Sequence, residues 1–361
     1  MNVIFYQNIL SMHQSAYIRA LANRVERVVL VVDKEMIEER EKQKWNIPDF
    51  GKTEIIITPG SAQIDTLANI PNAIHIFSGL DNPNIDKIAK KVKPKDDLKI
   101  GVFTESFRYN EVIGIFRYIK YFLLFIKQKK KIDFILTAGS IAYRQFKRIG
   151  FEEGKLYNWA YITEYVNNSI ECDNSLHSKA SLLFVGSIDD RKNIMNLIAV
   201  CNKLKRNSFT LKIIGRGPLE NDMFEAIKSN SDITYIGVID NKEISSYMES
   251  ADLLILPSKY DGWGAVVNEA LMCGLPVLAS NHCGAKDLLK DGRGRIFSIE
   301  ENNLEQVLFD FIKELPYTNE KREEIKRWAR GNISGEAAAE YLIEIIDYVE
   351  NGGVKPEAPW L

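Results

Sequence analysis

The sequence predicts an α/β protein made of two tandem, Rossmann-like, doubly wound domains with parallel sheets. The chain has 361 residues, which is more than one hydrophobic core usually supports. Short β-branched runs alternate with stretches of helical periodicity from the first residue onward, and this alternation indicates βαβ units. The alternation pauses after Leu156–Trp159 and restarts at Ser181. The chain therefore divides into two halves.

In the first half, nearly continuous apolar runs indicate strands that are covered on both faces. The predicted strands are Val3–Tyr6, Val28–Val32, Glu54–Thr58, Ala73–Phe77, Leu98–Phe103 and Phe134–Ala138. The helices predicted between them are Ser15–Arg24, Lys34–Lys44, Pro83–Val92, Gly114–Gln128 and Ile141–Ile149.

The second half repeats this pattern after a polar, Asn-rich stretch that is typical of a linker. The predicted strands are Ser181–Val185, Thr210–Ile214, Ile233–Ile236, Leu253–Leu256 and Pro276–Ala279. The predicted helices are Asn193–Lys205, Pro218–Lys228, Lys242–Glu249, Val266–Met272, Asn303–Lys313 and Asn319–Tyr348, followed by an irregular tail. The resulting divisions are an N-terminal domain at 1–165, a linker at 166–180, a C-terminal domain at 181–332, and a C-terminal helix with its tail at 333–361. A return of that last helix to the N-terminal domain is left open.

Composition excludes several classes of protein. Hydrophobic residues make up 45% and charged residues 27% of the chain, as in ordinary folded soluble proteins. The net charge of −2 argues against a dedicated nucleic-acid binder, although residues 1–170 carry 25 Lys+Arg against 19 Asp+Glu. Four scattered cysteines and four scattered histidines indicate neither a disulfide framework nor a metal site. No signal peptide or membrane span is recognised, so we expect a cytoplasmic protein that is soluble or surface-bound.

Residues 253–280 carry the most informative motif. A strand ends at Pro257, a loop contains Asp261, and a helix carrying Glu269 follows. Glycines in the loop let backbone N–H groups approach a ligand, and a helix N-terminus favours a phosphate. Taken singly, Asp261 fits a turn or cap and Glu269 a solvated helix face. Together, at this spacing, the two carboxylates predict a site that accepts hydrogen bonds from sugar hydroxyls.

This segment resembles the acidic-x7-Glu signature of retaining GT-B glycosyltransferases, the group known as family four or group one. The resemblance covers residues 181–300 and implies two Rossmann-like domains facing across a cleft. It implies that Glu269 holds the ribose hydroxyls of a nucleotide-sugar donor and that Asp261, where the family usually has Glu, contacts the donor sugar. It also implies donor contacts from the intervening loop, which consists of Gly262, Trp263, Gly264, Ala265 and Val266.

Residues 184–200 resemble the strand-loop-helix in which an arginine and a lysine of that family grip the diphosphate. Lys192 matches the lysine, whereas Ser187 occupies the arginine position. Arg191 or Arg216 is therefore left as the second cation. Such cations are needed because the departing nucleoside diphosphate develops negative charge. The turn around Val238 resembles the loop whose main-chain groups contact the base.

Two residues of the first half are candidates on the acceptor side. His13 follows the first strand, where the family has a loop near the donor phosphates and the acceptor. Glu105 follows another strand, where many members have a histidine, and we interpret it as a group that orients or deprotonates the incoming hydroxyl. A solvated carboxylate is the alternative for Glu105. Ser11, in the same loop as His13, is a further candidate, and helix capping is its alternative.

Residues 108–131 combine aromatic and aliphatic side chains with a cluster of cations. This pattern is typical of an interfacial membrane helix, and a core helix followed by a solvated basic loop is the alternative. The cations assigned to membrane binding are Arg117, Lys120, Lys127, Lys129, Lys130 and Lys131.

The resemblance implies a retaining, metal-independent hexosyltransferase without a cofactor. It would transfer a sugar from UDP or GDP to a saccharide acceptor, expected to be lipid-linked, during assembly of a capsule or lipopolysaccharide. We expect this activity in the cytoplasm, at the inner face of the cell membrane. Two alternatives stay open: a nucleotide-sugar epimerase, which shares the architecture, and a non-catalytic subunit that binds a nucleotide sugar.

Overall fold

The chain, seen in a computed structural model, forms two compact units. The structure describes residues 1–38, 46–92, 99–108, 111–164, 179–205 and 207–361. Unit 1 contains residues 1–38, 47–164 and 333–361, and unit 2 is built from the described residues between 179 and 332. Most of the predicted linker 166–180, and residues 39–44 of the helix predicted at 34–44, lie outside the described residues.

Unit 1 contains a parallel seven-stranded sheet with strand order β3-β2-β1-β4-β5-β6-β7. Its strands are β1 (Asn2–Gln7), β2 (Arg27–Val32), β3 (Glu54–Ile57), β4 (Ala73–Ser78), β5 (Lys99–Thr104), β6 (Phe134–Ala138) and β7 (Leu156–Trp159). Its helices are α1 (Met12–Ala22), α2 (Ser61–Leu67), α3 (Asn84–Val92), α4 (Glu111–Gln128) and α5 (Gly139–Ile149). Strands such as β1 and β6 are buried along their whole length, because helices cover both faces of a doubly wound sheet.

Unit 2 contains a parallel six-stranded sheet with strand order β10-β9-β8-β11-β12-β13. Its strands are β8 (Ala180–Val185), β9 (Phe209–Ile214), β10 (Ile233–Gly237), β11 (Leu253–Leu256), β12 (Val277–Ser280) and β13 (Gly294–Phe297). Its helices are α6 (Ile194–Lys203), α7 (Glu220–Ile227), α8 (Asn241–Ser250), α9 (Val266–Met272), α10 (Leu304–Ile312) and α11 (Asn319–Asn332), with a 3₁₀ helix at Gly284–Leu289.

The C-terminal segment belongs to unit 1 and is held there by aromatic side chains. After α11 the chain continues as α12 (Gly335–Asn351), which packs on α1. Trp360 in the tail is only 2% exposed, and its ring centroid lies 5.9 Å from that of Trp159 at the end of β7 and 5.5 Å from that of Tyr341 in α12. The tail is irregular but tightly packed.

The predicted α/β class with two parallel, Rossmann-like sheets is confirmed. The region predicted as helical over 319–348 is helical, but it is divided into two helices, because the chain is interrupted between α11 and α12. Ser334 caps α12 there by accepting a hydrogen bond from the Ala337 N–H at 3.2 Å, as an N-cap serine does. Helix α2 and strand β13 were not predicted.

Candidate functional site

The loops that follow β8, β9, β11 and β12 meet at the carboxyl edge of the unit 2 sheet. Parallel strands present their carboxyl ends at one edge, which is where open α/β sheets bind ligands. The loop after β8 leads to Lys192, and the loop after β11 leads to Asp261. The fold thus brings together two motifs that are 69 residues apart in the sequence.

Lys192 and Asp261 form a direct, buried ion pair. The Lys192 Nζ lies 2.5 Å from the Asp261 Oδ2, and the two side chains are only 11% and 13% exposed. Arg191 adds a second cation, its Nη1 lying 3.7 Å from the same oxygen, although its side chain is mostly open to solvent at 46% exposure. Two of the cations predicted to hold a diphosphate therefore face the carboxylate predicted to contact the sugar.

The carboxyl group of Asp261 is held in its ionised form. Burial alone would raise its pKa, but Lys192, Arg191 and the Trp263 N–H together hold the pKa of Asp261 below its ordinary value. The main chain of Asp261 is fixed as well, since its N–H donates to the His282 carbonyl at 3.2 Å and its carbonyl accepts from the Gly284 N–H at 3.1 Å.

The glycine loop between Asp261 and α9 is locked by buried side chains. The indole N–H of Trp263 donates to the Asn268 Oδ1 at 2.8 Å, and the Cys283 Sγ lies 3.0 Å from the Trp263 carbonyl. Gly264 has a φ of +93°, and a Cβ there would lie 2.8 Å from the Cys283 Sγ. Because the indole is enclosed, only the main chain of Trp263 can contact a ligand. Asn268 and Cys283 were not predicted, and no sequence motif marked them.

Glu269 lies in the first turn of α9 and has an unusual pKa. Removal of its carboxyl from water raises the pKa to about 7, although the charge of Lys192 acts in the opposite direction. Among the described residues, no hydrogen bond or ion pair to this carboxyl is found. Glu269 therefore changes its protonation near neutral pH and keeps its acceptor oxygens available for a ligand.

The remaining predicted donor residues lie on neighbouring loops of the same edge. The loop holding Ser187 packs against the loop holding Arg216, because the Ile188 N–H donates to the Arg216 carbonyl at 3.0 Å. Gly215 makes this approach possible, since a Cβ there would lie 1.9 Å from the Gly186 carbonyl oxygen. Val238 follows Gly237 at the end of β10, and the Gly237 carbonyl accepts from the Gly215 N–H at 2.9 Å. Arg216 is exposed.

This arrangement can bind a ligand that carries both negative charge and hydroxyl groups. Lys192 and Arg191 supply charge-assisted donors for an anion such as a phosphate. Backbone N–H groups at the start of α9 favour the same anion. Asp261 and Glu269 supply acceptors for hydroxyls. A sugar joined to a phosphate has both kinds of group.

In unit 1 the fold brings His13 and Glu105 to a common partner, Tyr161. The Tyr161 hydroxyl donates to the Glu105 carboxylate, and the rings of Tyr161 and His13 lie edge to face with centroids 5.5 Å apart. The Ile162 N–H donates to the His13 carbonyl at 2.9 Å, which ties the segment after β7 to α1. Tyr161 was not predicted, because it lies between the last apolar run of the first half and the predicted linker, where no motif indicates a function. Ser11 caps α1 by accepting from the His13 N–H at 3.3 Å.

The cations predicted to bind a membrane fall into two groups. Lys120 pairs with Asp81 at 2.8 Å, and Lys127 and Lys131 pair with Asp86 at 2.5 and 2.7 Å. The second group is exposed and, within the described part of unit 1, forms no salt bridge: Arg117, Lys129 and Lys130. Half of the predicted membrane cations are therefore already neutralised by aspartates of unit 1.

The described residues contain neither a candidate metal site nor a candidate membrane span. No group of three or more His, Cys, Asp or Glu side chains in that part of the chain is arranged to hold a metal ion. None of its helices is long and apolar enough to cross a membrane.

Unit 2 is similar to a known protein family. Residues 171–332 match the model of the family described as Glycosyl transferases group 1. A Klebsiella pneumoniae protein described as an uncharacterized 41.2 kDa protein in the cps region is 32% identical over 208 residues, covering 55% of this chain and 57% of the relative. The amylovoran biosynthesis glycosyltransferase AmsK of Erwinia amylovora is 29% identical over 133 residues, covering 34% of this chain and 33% of AmsK. The aligned part of the chain spans about half the length of the curated relatives it matches, or less.

Solved structures match the whole fold. The Anabaena protein Alr3699/HepE, solved with UDP, has a TM-score of 0.73 at 12% identity, covering 96% of this chain and 100% of HepE. The apo lipopolysaccharide outer core galactosyltransferase WaaB has a TM-score of 0.70 at 13% identity, covering 96% of this chain and 99% of WaaB. At such low identity these likenesses establish the fold and not the substrate.

Proposed function

We propose that this chain is a glycosyltransferase of cell-surface polysaccharide biosynthesis. Its residues 171–332 match the model of the Glycosyl transferases group 1 family, and its two units have the GT-B fold. One observation carries the proposal: Lys192, Asp261 and Glu269 meet at one edge of the unit 2 sheet. They combine a phosphate-binding cation with two hydroxyl acceptors. HepE has been solved with UDP and with UDP-glucose, which supports a nucleoside-diphosphate sugar as donor.

We assign the roles of the individual residues from the resemblance of their motifs to the family, and their chemistry suits those roles. Lys192, with Arg191, stabilises the negative charge that develops on the departing diphosphate. Glu269 accepts hydrogen bonds from the ribose hydroxyls, and Asp261 accepts them from the donor sugar. The backbone amides of the glycine loop contact the phosphates. In unit 1 we assign Glu105 to the acceptor hydroxyl.

We further propose transfer with retention of the anomeric configuration, without a metal ion or cofactor, to a saccharide acceptor that is lipid-linked. The resemblance of the Asp261–Glu269 segment to retaining enzymes supports retention. A lipid-linked acceptor agrees with membrane contact through residues 108–131 at the inner face of the membrane. Relatives involved in amylovoran and lipopolysaccharide synthesis support a polysaccharide pathway.

A donor screen tests the proposal. Purified protein is incubated with UDP- and GDP-sugars and a lipid-linked saccharide extract, and the released nucleoside diphosphate is measured. We expect one donor to be turned over and Glu269→Ala to abolish its turnover. NMR of the product then reports the anomeric configuration, and EDTA tests metal independence. Undiminished turnover in Glu269→Ala would exclude this site, and an epimerised donor without an acceptor would favour an epimerase.

A further inference from the structure

His282 is a residue that no sequence motif marked, and it lies beside the candidate site of unit 2. It follows β12, and its side chain is only 23% exposed. The ring Nδ1 lies 2.9 Å from the Lys259 carbonyl oxygen, in the loop after β11. The ring Nε2 lies 2.5 Å from the Glu300 carboxylate, in the segment after β13. The imidazole therefore bridges the two loops that flank its own along the sheet.

The Lys259 peptide continues this line of hydrogen bonds into the candidate site. Its N–H donates to the Arg191 carbonyl at 2.9 Å, and Arg191 directly precedes Lys192. Two residues after Lys259, the Asp261 N–H donates to the His282 carbonyl at 3.2 Å. His282 thus holds the segment that ends at Asp261 through both its ring and its main chain. That segment in turn contacts the loop that carries the two cations.

The nearest other side-chain hydrogen bond holds an earlier residue of the loop after β11. The buried Ser280 hydroxyl donates to the Ser258 carbonyl at 2.6 Å. For the carbonyl of the next residue, Lys259, the His282 ring is the hydrogen-bond partner that the described part of unit 2 provides. Removing the ring therefore releases the Lys259 peptide on the side that faces away from Arg191.

The two partners of the ring indicate that both of its nitrogens donate. A carbonyl oxygen only accepts hydrogen bonds, and so does an ionised carboxylate. Glu300 is ionised at neutral pH, because the Asn281 side chain, the main-chain N–H of Glu300 and His282 lower its pKa to about 2. An imidazole donates from both nitrogens only as the imidazolium ion. When one proton leaves, one of the two acceptors faces a lone pair and the bridge is broken on that side.

Glu300 is the charged group that faces the ring among the residues that the structure describes. The Lys259 ammonium pairs instead with Asp190 at 2.5 Å, and the Asp261 carboxylate is engaged by the two cations of the site. Burial raises the pKa of the neighbouring Cys283 thiol well above its ordinary value. The imidazole is therefore the member of this group of side chains that ordinarily titrates between pH 5 and 8.

We infer that His282 is a positioning residue of the donor site. Its ring fixes the Lys259 peptide and thereby orders the segment that carries Asp261 and the loop that carries Lys192. The inference rests on the proposed function for the identity of the ligand, and His282 acts through these contacts and not on the donor itself. Because the bridge is complete only while the ring is protonated, the affinity of the site for a nucleoside diphosphate falls as the pH rises.

Hydrogen exchange of the ligand-free protein tests the positioning role without any enzymatic activity. His282→Phe keeps the volume of the ring but removes both hydrogen bonds, so the amides of Lys259 and Asp261 should exchange about tenfold faster than in wild type at pH 6. The matched control is Lys203→Gln, which breaks an exposed 2.7 Å ion pair with Glu305 at the far end of α6. It should leave these rates unchanged. Unchanged rates in a folded His282→Phe protein, as verified by thermal unfolding, would overturn the inference.

Glu300→Gln separates the bridge from a general structural loss. Its amide N–H can donate to the unprotonated ring while its oxygen accepts from Asn281, so this variant keeps the bridge in both protonation states of His282. Glu300 is exposed, so the variant tests the inference even where His282→Phe does not fold. Calorimetric titration with UDP and GDP between pH 6 and pH 8.5 should show the Kd of wild type rising severalfold more than that of Glu300→Gln.

The comparison of the two proteins isolates the ring from the other titrating group of the site. Glu269, whose pKa is about 7, titrates in both proteins and cancels in the ratio of their Kd values. A ratio that stays constant with pH would overturn the inference. If neither UDP nor GDP binds to wild-type protein, the proposed function fails, whereas the exchange rates of Lys259 and Asp261 still decide the role of His282.

Discussion

Replacing Asp261 with asparagine should tighten the binding of a nucleoside diphosphate while slowing transfer. In the ligand-free protein the Lys192 ammonium lies 2.5 Å from the Asp261 carboxylate, so a diphosphate must share or replace that partner. The carboxylate also repels the incoming anion. An asparagine side chain at this position would keep the size and the hydrogen-bonding oxygen of the aspartate but remove its charge.

The magnitude follows from Coulomb's law. A phosphate bound to Lys192 lies on the order of 5 Å from the Asp261 carboxylate, because both groups contact the same ammonium. Two unit charges at that distance repel by about 3 kcal/mol at an effective dielectric constant of about 20 and by about 1 kcal/mol in bulk water. We therefore expect the Kd for UDP or GDP to fall by a factor of about five to a hundred.

The stability of the Asp261→Asn protein should fall, although its affinity for the diphosphate rises. Removing one partner of a buried ion pair leaves the other charge uncompensated, which costs on the order of 3 kcal/mol. The ligand-free Asp261→Asn protein should therefore unfold at a lower temperature than wild type. Added diphosphate compensates Lys192, so the ligand-induced rise in the unfolding midpoint should be larger in the variant.

Calorimetric titration with UDP and GDP, together with thermal unfolding, checks both expectations. The matched control is Asp190→Asn, which breaks the 2.5 Å ion pair between Asp190 and Lys259 on the same edge of the sheet at an exposed position. It should change the Kd by less than about twofold. If Asp261→Asn shows the expected loss of stability but an unchanged or higher Kd for UDP and GDP, the idea that Asp261 and the diphosphate compete for Lys192 is refuted.

Three further predictions concern Glu269, Asn268 and Tyr161. Because the pKa of Glu269 is raised to about 7, ionising this carboxyl destabilises the folded protein. Its full contribution to stability is present below about pH 4.5 and is lost as the pH rises to 7. Glu269→Gln should therefore gain stability over wild type by up to about 3 kcal/mol between pH 5 and pH 8, as measured by urea unfolding; a constant difference would contradict the assignment. Asn268→Leu leaves the Trp263 indole N–H without its acceptor. The free energy of unfolding should therefore fall by about 1–3 kcal/mol, and the KM for the donor should rise. The conservative variant Asn268→Asp, which keeps an acceptor oxygen, should show neither change. Tyr161→Phe keeps the ring against His13 but removes the hydroxyl that donates to Glu105. We expect a severalfold lower kcat/KM for the acceptor and an unchanged KM for the donor. An equal loss of kcat/KM for both substrates would indicate a structural role.

The sequence predicts the fold well where the local signal is strong. Strands such as β1 and β6 are short, apolar and flanked by polar residues, so their bounds are predicted within two residues. Strand β13 (GRIF) was missed because two of its four residues are Gly and Arg, so it lacks the continuous apolar run that indicates the other strands. The break between α11 and α12 had a signal, Ser334 followed by Gly335. That signal was outweighed by the helical periodicity on both sides.

The site was predicted residue by residue but not as a network. The spacing of Asp261 and Glu269 and the resemblance of both segments to family motifs led to Lys192, Asp261 and Glu269. These signals contain no information on the residues that hold them, because Cys283 and Asn268 act through tertiary contacts with Trp263. The same holds for Tyr161, whose role depends on the return of the chain after β7 to α1. Motifs therefore indicate the groups that contact a ligand, whereas positioning groups emerge only from packing.

The ion pair between Lys192 and Asp261 also explains how an acidic half of the chain can hold an anion. Residues 171–332 carry 21 Lys+Arg against 24 Asp+Glu, a balance that by itself does not favour a diphosphate. Charges separated by more than about 8 Å are largely screened at physiological ionic strength. The charged side chains at the sheet edge therefore determine whether an anion binds there. There Lys192 and Arg191 both face Asp261, although Arg191 also lies 3.8 Å from Asp189. Under the proposed function, Asp261 is also the group that contacts the donor sugar. We therefore expect binding to be an exchange of partners, in which the cations turn from Asp261 to the phosphates as Asp261 turns to the sugar. A ligand that offers only the phosphate or only the sugar would satisfy one side of that exchange, so we expect the site to prefer the intact donor over either fragment.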